Sequence, residues 1–158
     1  MEAVLEKLSE YELERGKPMP DTLHAAIQMN LGFEIKSRYR HQYRVLSELA
    51  LATIPDSTTP DVVIYPNFDL DYVNRTARRS DPPLVSIEIQ SPSQSLEFMV
   101  EKTITYFSFG VKSCWIVLPS IKAIMVYTEP GRYQFFHDED TLVDPTTGIE
   151  LALIEVFA

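Results

Sequence analysis

Three side chains in this chain have the types and spacing to do chemistry together. Asp61 opens the run PDVVIY (60–65), Glu88 lies inside LVSIEIQ (84–90), and Lys102 lies in the stretch that follows. Two carboxylates delivered by neighbouring strands are the usual way to hold Mg²⁺, a hard cation that takes oxygen ligands. A lysine nearby suits the negative charge that develops on a phosphoryl group, or the attacking water. The Ile89 carbonyl, next to Glu88, could supply a further oxygen for the metal. Each residue also has a plainer reading. Asp61 follows a proline and could be a turn or cap residue. The face of Glu88 could simply be solvent-exposed. Lys102 could snorkel along its helix.

The elements that must position these residues follow from periodicity. Side chains alternate across a strand, so Val85, Ile87 and Ile89 share one face, while Ser86, Glu88 and Gln90 share the other. In the same way Asp61 goes with Val63 and Tyr65, and Val62 and Ile64 point the opposite way. Residues 95–109 read as a helix closed by Gly110. There Lys102 and Tyr106 are i, i+4 neighbours, with Phe98 one turn earlier. A lysine stem spans about 6 Å, enough to reach a carboxylate pair if the helix packs over the right end of the sheet.

Around this centre the chain reads as a helix over residues 1–9, then a strand or hairpin over Tyr11–Met19. A second helix starts near Asp21 or Thr22 and runs to about Arg38, with Leu23, Ile27, Leu31 and Ile35 as its apolar stripe and Ala26 beside them. Strands are expected over Tyr43–Ile54, Pro60–Tyr65, Leu84–Gln90 and Val111–Leu118. A hairpin of Ala123–Thr128 and Arg132–His137 turns at Glu129-Pro130-Gly131. Residues 66–82 read as a long loop carrying Arg75, Arg78 and Arg79, and the tail IELALIEVF as a short apolar stretch. The fold class is therefore α/β, a mixed central β-sheet flanked by α-helices. With 158 residues, a single domain over 1–158 is expected. Trp115 reads as core and Cys114 as a buried thiol.

Composition removes several classes. No apolar run approaches the ~20 residues needed to span a bilayer, so no membrane partner is expected. The opening MEAVLEKLSEYELERG has no signal-peptide pattern. One cysteine can build neither an internal disulfide nor a cysteine-based zinc site. The cytoplasm is the expected compartment. There is no glycine-rich phosphate loop and no GxSxG serine. His24, His41 and His137 lack zinc spacing and read as structural or surface residues. A net charge of −9 opposes nucleic-acid binding, although two arginine groups, Arg38, Arg40 and Arg44 and then Arg75, Arg78 and Arg79, could form one basic face. They could equally pair with neighbouring acids.

Taken together, PDVVIYP, DPPLVSIEIQSPSQS and EKTITYFSFGVKSCWIVLPSIKAIMVY resemble the Uma-two family of restriction-endonuclease-like proteins, within the PD-(D/E)XK nuclease superfamily. YELERGKPM followed by His24 resembles that family's opening strand and helix start. The resemblance covers roughly residues 10–157. It implies a restriction-endonuclease-like fold in which Asp61 and Glu88 are the motif acids that bind metal. Gln90 occupies the place where the superfamily usually has lysine, and Lys102 is the position to which that lysine moves. Glu12 matches an acidic position on the opening strand that joins the site, and His24 a helix-start histidine. Arg15 departs from an acidic residue common among relatives, and Phe98 from an aspartate.

The resulting expectation is an endonuclease that uses Mg²⁺ or Mn²⁺ to hydrolyse DNA phosphodiester bonds, with a homodimer implied by the resemblance. The alternatives are a catalytically inactive nuclease-fold module for binding or assembly, favoured by Gln90 and the acidic charge, and a metal-dependent enzyme acting on another phosphate-containing substrate.

Overall fold

The structure is a computed structural model and describes residues 17–158. The expected helix over 1–9, Glu12, and most of the expected strand over Tyr11–Met19 lie outside the described residues.

Helix α1 spans Thr22–Tyr39. Asp21 caps it, its side chain accepting from the His24 backbone N–H at 2.8 Å. The helical period is the expected one, but its phase differs by one residue at the start. His24, Ile27, Leu31 and Ile35 face inward, while Leu23 is 54% exposed and Ala26 is exposed. The shift is sterically neutral, because positions 23 and 24 are both within a turn of Ile27. His24 has a polar partner inside and Leu23 does not, as shown below.

Among the described residues six strands form the central sheet: β1 (Tyr43–Ser47), β3 (Val62–Pro66), β5 (Val85–Ile89), β6 (Ser113–Leu118), β7 (Ala123–Glu129) and β8 (Arg132–His137), in spatial order β1-β3-β5-β6-β7-β8. All neighbours are antiparallel except β5 and β6. Parallel neighbours require a crossover, and helix α2 (Leu96–Phe109) provides it. Ser95 caps α2, accepting from the Phe98 N–H at 3.1 Å. Gly110 ends it in the left-handed region at φ 112°, where a Cβ would stand 3.0 Å from Pro82 Cγ. A side chain there would meet both backbone strain and a close neighbour.

The sheet is covered on both faces. One face packs Ile27, Leu31 and Ile35 of α1, with Leu151, Leu153 and Val156 of the tail, over Val62, Ile64, Val85, Ile87, Trp115 and Val117. The other packs Met99 and Tyr106 of α2 over Val63, Tyr65, Cys114, Ile116 and Met125. All of β5 is therefore buried, and neither of its faces meets solvent. Trp115 and Cys114 are buried as expected, and burial pushes the Cys114 thiol up to about 12.

Three expectations change in detail. The strand over Tyr43–Ile54 breaks at Glu48, whose φ of 51° is left-handed; pairing resumes as the short β2 (Ala50–Leu51). The loop over 66–82 contains β4 (Arg78–Arg79), which pairs in parallel with β2. The tail forms β10 (Glu150–Ala152), paired with β9 (Thr141–Val143), and then the short helix α3 (Leu153–Val156). No helix among the described residues is long and apolar enough to cross a membrane.

Candidate active site

The register of the sheet places the two acids. Val62 pairs with Ile87 and Val63 with Ser86. One step beyond the last pair, Asp61 comes opposite Glu88 on the face covered by α2. Like charges directly opposite across a strand pair repel, and both acids are buried, Asp61 completely and Glu88 to 4% exposure. Burial of two unpaired carboxylates is prohibitive, so cations and donors must surround them.

Among the described residues they do so from four parts of the chain. Lys102 of α2 brings Nζ to 3.1 Å from Glu88 Oε1. Tyr106, one turn later, donates its hydroxyl to the same oxygen at 2.5 Å. The pair at i, i+4 on α2 thus converges on one carboxylate oxygen. Lys17 lies between the acids, with Nζ 2.7 Å from Asp61 Oδ1 and 3.1 Å from Glu88 Oε2. His24 places Nε2 3.2 Å from Asp61 Oδ1. The Ile89 backbone N–H donates to Asp61 Oδ2 at 2.7 Å.

Electrostatics follow from this geometry. Burial alone would raise the Asp61 carboxyl, but the His24 hydrogen bond and the charge of Lys17 outweigh it and hold the group well below the usual carboxylate range. Tyr106 moves the other way: burial first, then the adjacent Glu88 charge, raise its phenol well above normal, so it remains a donor.

Asp61, Glu88 and Lys102 therefore come together as the spacing anticipates. Asp61 is neither an exposed turn residue nor a simple cap, and Glu88 does not face solvent. Gln90 is adjacent but turned aside, its amide donating to the Gln94 carbonyl at 3.0 Å. Ile89 presents its N–H to Asp61. His24, expected to be a structural or surface residue, is buried against Asp61, which rules out the surface reading. Lys17 was not anticipated at all, because its partners lie 44 and 71 residues away in sequence and nothing local marks it. Glu12 lies outside the described residues.

The donor chemistry fits a divalent ion. Among the described residues no three His, Cys, Asp or Glu side chains form a ready metal cage. Two carboxylate oxygens do converge on one cation-sized point, now held by the Lys17 ammonium. Mg²⁺ is commonly held by one or two carboxylates plus water and substrate oxygens, which matches this set.

A cavity of about 420 Å³ opens beside His24, lined also by Asp21, Gln90, Ser91, Gln94 and Ser120 among others. His24 Nδ1 and Gln94 Nε2 are buried there without a hydrogen-bond partner among the described residues. A larger cavity of about 790 Å³ runs between α1 and β1; none of Asp61, Glu88 and Lys102 lines either cavity. The smaller cavity is the relevant one, because it shares His24 with the acid cluster. The arginines divide. Arg79 pairs with Asp81 at 2.6 Å and stacks on Tyr65. Arg44 donates to the Phe68 carbonyl at 2.8 Å, while Arg40, Arg75 and Arg78 are exposed.

The family profile described as "Uma2: Putative restriction endonuclease" matches residues 6–153. Among solved structures, a protein from Anabaena variabilis ATCC 29413, titled a putative nuclease belonging to DUF820, superposes with a TM-score of 0.76 at 22% identity, covering 89% of this chain and 83% of that one. At that identity the likeness speaks for the fold. No curated protein matches the chain.

Proposed function

The chain belongs to the Uma2 family, and from that premise we propose that it is a metal-dependent endonuclease that hydrolyses DNA phosphodiester bonds, with Mg²⁺ or Mn²⁺ held by Asp61 and Glu88. The observation that carries this reading is the meeting of Lys102 and Tyr106 on Glu88 Oε1, on the strand directly beside Asp61.

Each residue then has a role. Asp61 and Glu88 hold the ion, and the Ile89 carbonyl is the candidate third oxygen. A bound divalent ion supplies Lewis-acid polarisation of the phosphoryl group and a more acidic water. The Lys102 ammonium, at the less buried edge of the cluster, orients the attacking water and offsets charge on the phosphoryl oxygens. Tyr106 fixes the Glu88 carboxylate, and His24 and the Ile89 N–H fix that of Asp61, so neither acid must reorganise on binding. Glu12 is carried as a further acidic contributor. The neighbouring cavity, with its amide and hydroxyl lining, takes the sugar-phosphate chain. Cutting both strands calls for two such sites, so the proposal includes a homodimer.

DNA must approach a chain of net charge −9. The exposed Arg40, Arg75 and Arg78 support a local basic contact, and such binding is strongly salt-dependent. Duplex affinity should fall at least tenfold, roughly, between 50 and 200 mM salt. Affinity unchanged over that range would remove the phosphate-contact model. The direct test is nicking of supercoiled plasmid with Mn²⁺. Glu88→Ala should reduce it by about 10³-fold or more, and full activity in that variant would refute the assignment.

One observation favours a second reading. The amide of Gln90, in the place that lysine usually takes in the superfamily, is committed to Gln94, which suits a catalytically inactive module for binding or assembly. Mn²⁺ binding without any cleavage of DNA by the wild-type chain would select it.

A further inference from the structure

Lys17 has no part in the roles above, yet its side chain is only 3% exposed, against 14% for Lys102. Its ammonium touches both acids, whereas that of Lys102 touches only Glu88. The oxygens it holds, Asp61 Oδ1 and Glu88 Oε2, are the ones the two acids turn toward each other. The opposite oxygens face elsewhere, Asp61 Oδ2 to the Ile89 N–H and Glu88 Oε1 to Tyr106 and Lys102. A divalent ion bridging the two acids would therefore use the pair that Lys17 holds. Metal–oxygen bonds of about 2.0–2.6 Å and the ammonium contacts of 2.7 and 3.1 Å define nearly the same point. Two cations cannot share it.

We propose that Lys17 is a built-in competitor for the divalent cation: its ammonium fills the metal seat between Asp61 and Glu88, and metal enters only by displacing it. This rests on the metal-dependent reading of the same site. Without metal, the Asp61 and Glu88 carboxylates are matched, among the described residues, by the ammonium groups of Lys17 and Lys102, with His24 also on Asp61. With metal in the seat and Lys17 moved away, the cluster gains net positive charge, which suits a phosphodiester. The Lys17 contact thus acts as a threshold on metal loading and as a clamp that keeps the acids in register until then.

The test is calorimetric titration of the full chain with Mn²⁺ alone, comparing wild type, Lys17→Gln and Lys102→Gln. Lys17→Gln should bind Mn²⁺ about tenfold more tightly or better, and Lys102→Gln should gain clearly less, because its ammonium lies outside the seat. Unchanged affinity in Lys17→Gln, or equal gains in both variants, overturns the proposal, the latter by reducing it to general charge removal. Absence of Mn²⁺ binding in all three overturns it together with the metal-dependent nuclease reading. Unchanged affinity in a chain that still cleaves DNA overturns this inference alone. Should Lys17→Gln fail to fold, the wild type serves. Acetylation of Lys17 by acetic anhydride, read by mass spectrometry against exposed Lys36, should be low without metal and rise several-fold with saturating Mn²⁺. No rise despite Mn²⁺ binding overturns displacement.

Discussion

Among the described residues, two places bury an acid completely, and they do it by opposite means. Asp144 has no exposed surface. Its carboxylate accepts from the Ser113 hydroxyl, from Trp115 Nε1 at 3.2 Å, and from the Thr147 N–H and hydroxyl at 2.9 and 2.6 Å. Every one of these donors is neutral, and together they tie β6 to the turn before β10. Asp61 is equally buried but stands opposite a second acid, among Lys17, Lys102 and His24, the last of which also lines a cavity. Burial of a carboxylate therefore does not by itself mark a site. The distinguishing features are the second acid, the lysine charges and a cavity that reaches the cluster through His24. A ring of neutral donors dissipates one negative charge and locks a fold. A pair of acids balanced by lysines can exchange its cation, and exchange is what metal chemistry needs.

The comparison can be broken most forcefully by the same substitution in both places. Asp61→Asn should lower Mn²⁺-dependent nicking by about 10³-fold, since it removes a metal-binding charge. Asp144→Asn should leave the rate per folded molecule within about threefold, yet cost about 1–3 kcal/mol in urea unfolding, because one acceptor oxygen becomes an amide N–H₂ facing buried donors. Equal losses of activity in the two variants, measured where both are folded, would erase the distinction.

A smaller effect sharpens it. Tyr106→Phe removes the 2.5 Å hydrogen bond to Glu88. A bond to a charged group of this kind is worth about 1.5–3 kcal/mol, so the unfolding midpoint in urea should fall accordingly. A variant as stable as wild type would mean that Lys17 and Lys102 secure Glu88 without the phenol.

The smallest effect is one of pH. The Asp61 carboxyl is held below its ordinary value despite burial, by His24 and Lys17. A depressed native value means that the unfolded chain binds the proton first as pH falls. The stabilisation is complete above the unfolded value of about 3.9 and is lost as pH drops from there through the native value. The stability gap between wild type and Asp61→Asn should thus be flat from about pH 7 to 5 and narrow between about pH 4 and 2. A gap unchanged down to pH 2 would contradict the depressed value.

Much of this arrangement was legible in the sequence, and the misses have physical causes. The strand parity of Asp61 and Glu88 and the i, i+4 pairing of Lys102 with Tyr106 are local properties, and they led to the acids and the lysine. The stripe of α1 showed its period, but reading it by apolarity chose Leu23 over His24, since a histidine facing inward is legible only from its partner 37 positions on, Asp61. Lys17 and β4 escaped for a related reason. Both owe their place to distant partners, Asp61 and Glu88 for Lys17 and β2 for the two-residue β4, and neither has a periodic signal of its own. The break at Glu48 is a single positive-φ residue whose N–H donates to the Asp61 carbonyl at 3.0 Å, again a long-range bond. Gln90 is the converse case. Its face was legible, but its hydrogen bond to Gln94 turns on the loop that follows β5.

The most direct measurement is an anomalous difference map from a crystal of the wild-type chain soaked in Mn²⁺. One strong peak is expected between Asp61 and Glu88, about 2.0–2.3 Å from an oxygen of each, with the Lys17 ammonium moved off that point and Lys102 still facing Glu88. A crystal that takes up Mn²⁺ only elsewhere, leaving Lys17 bridging the two acids, would contradict it.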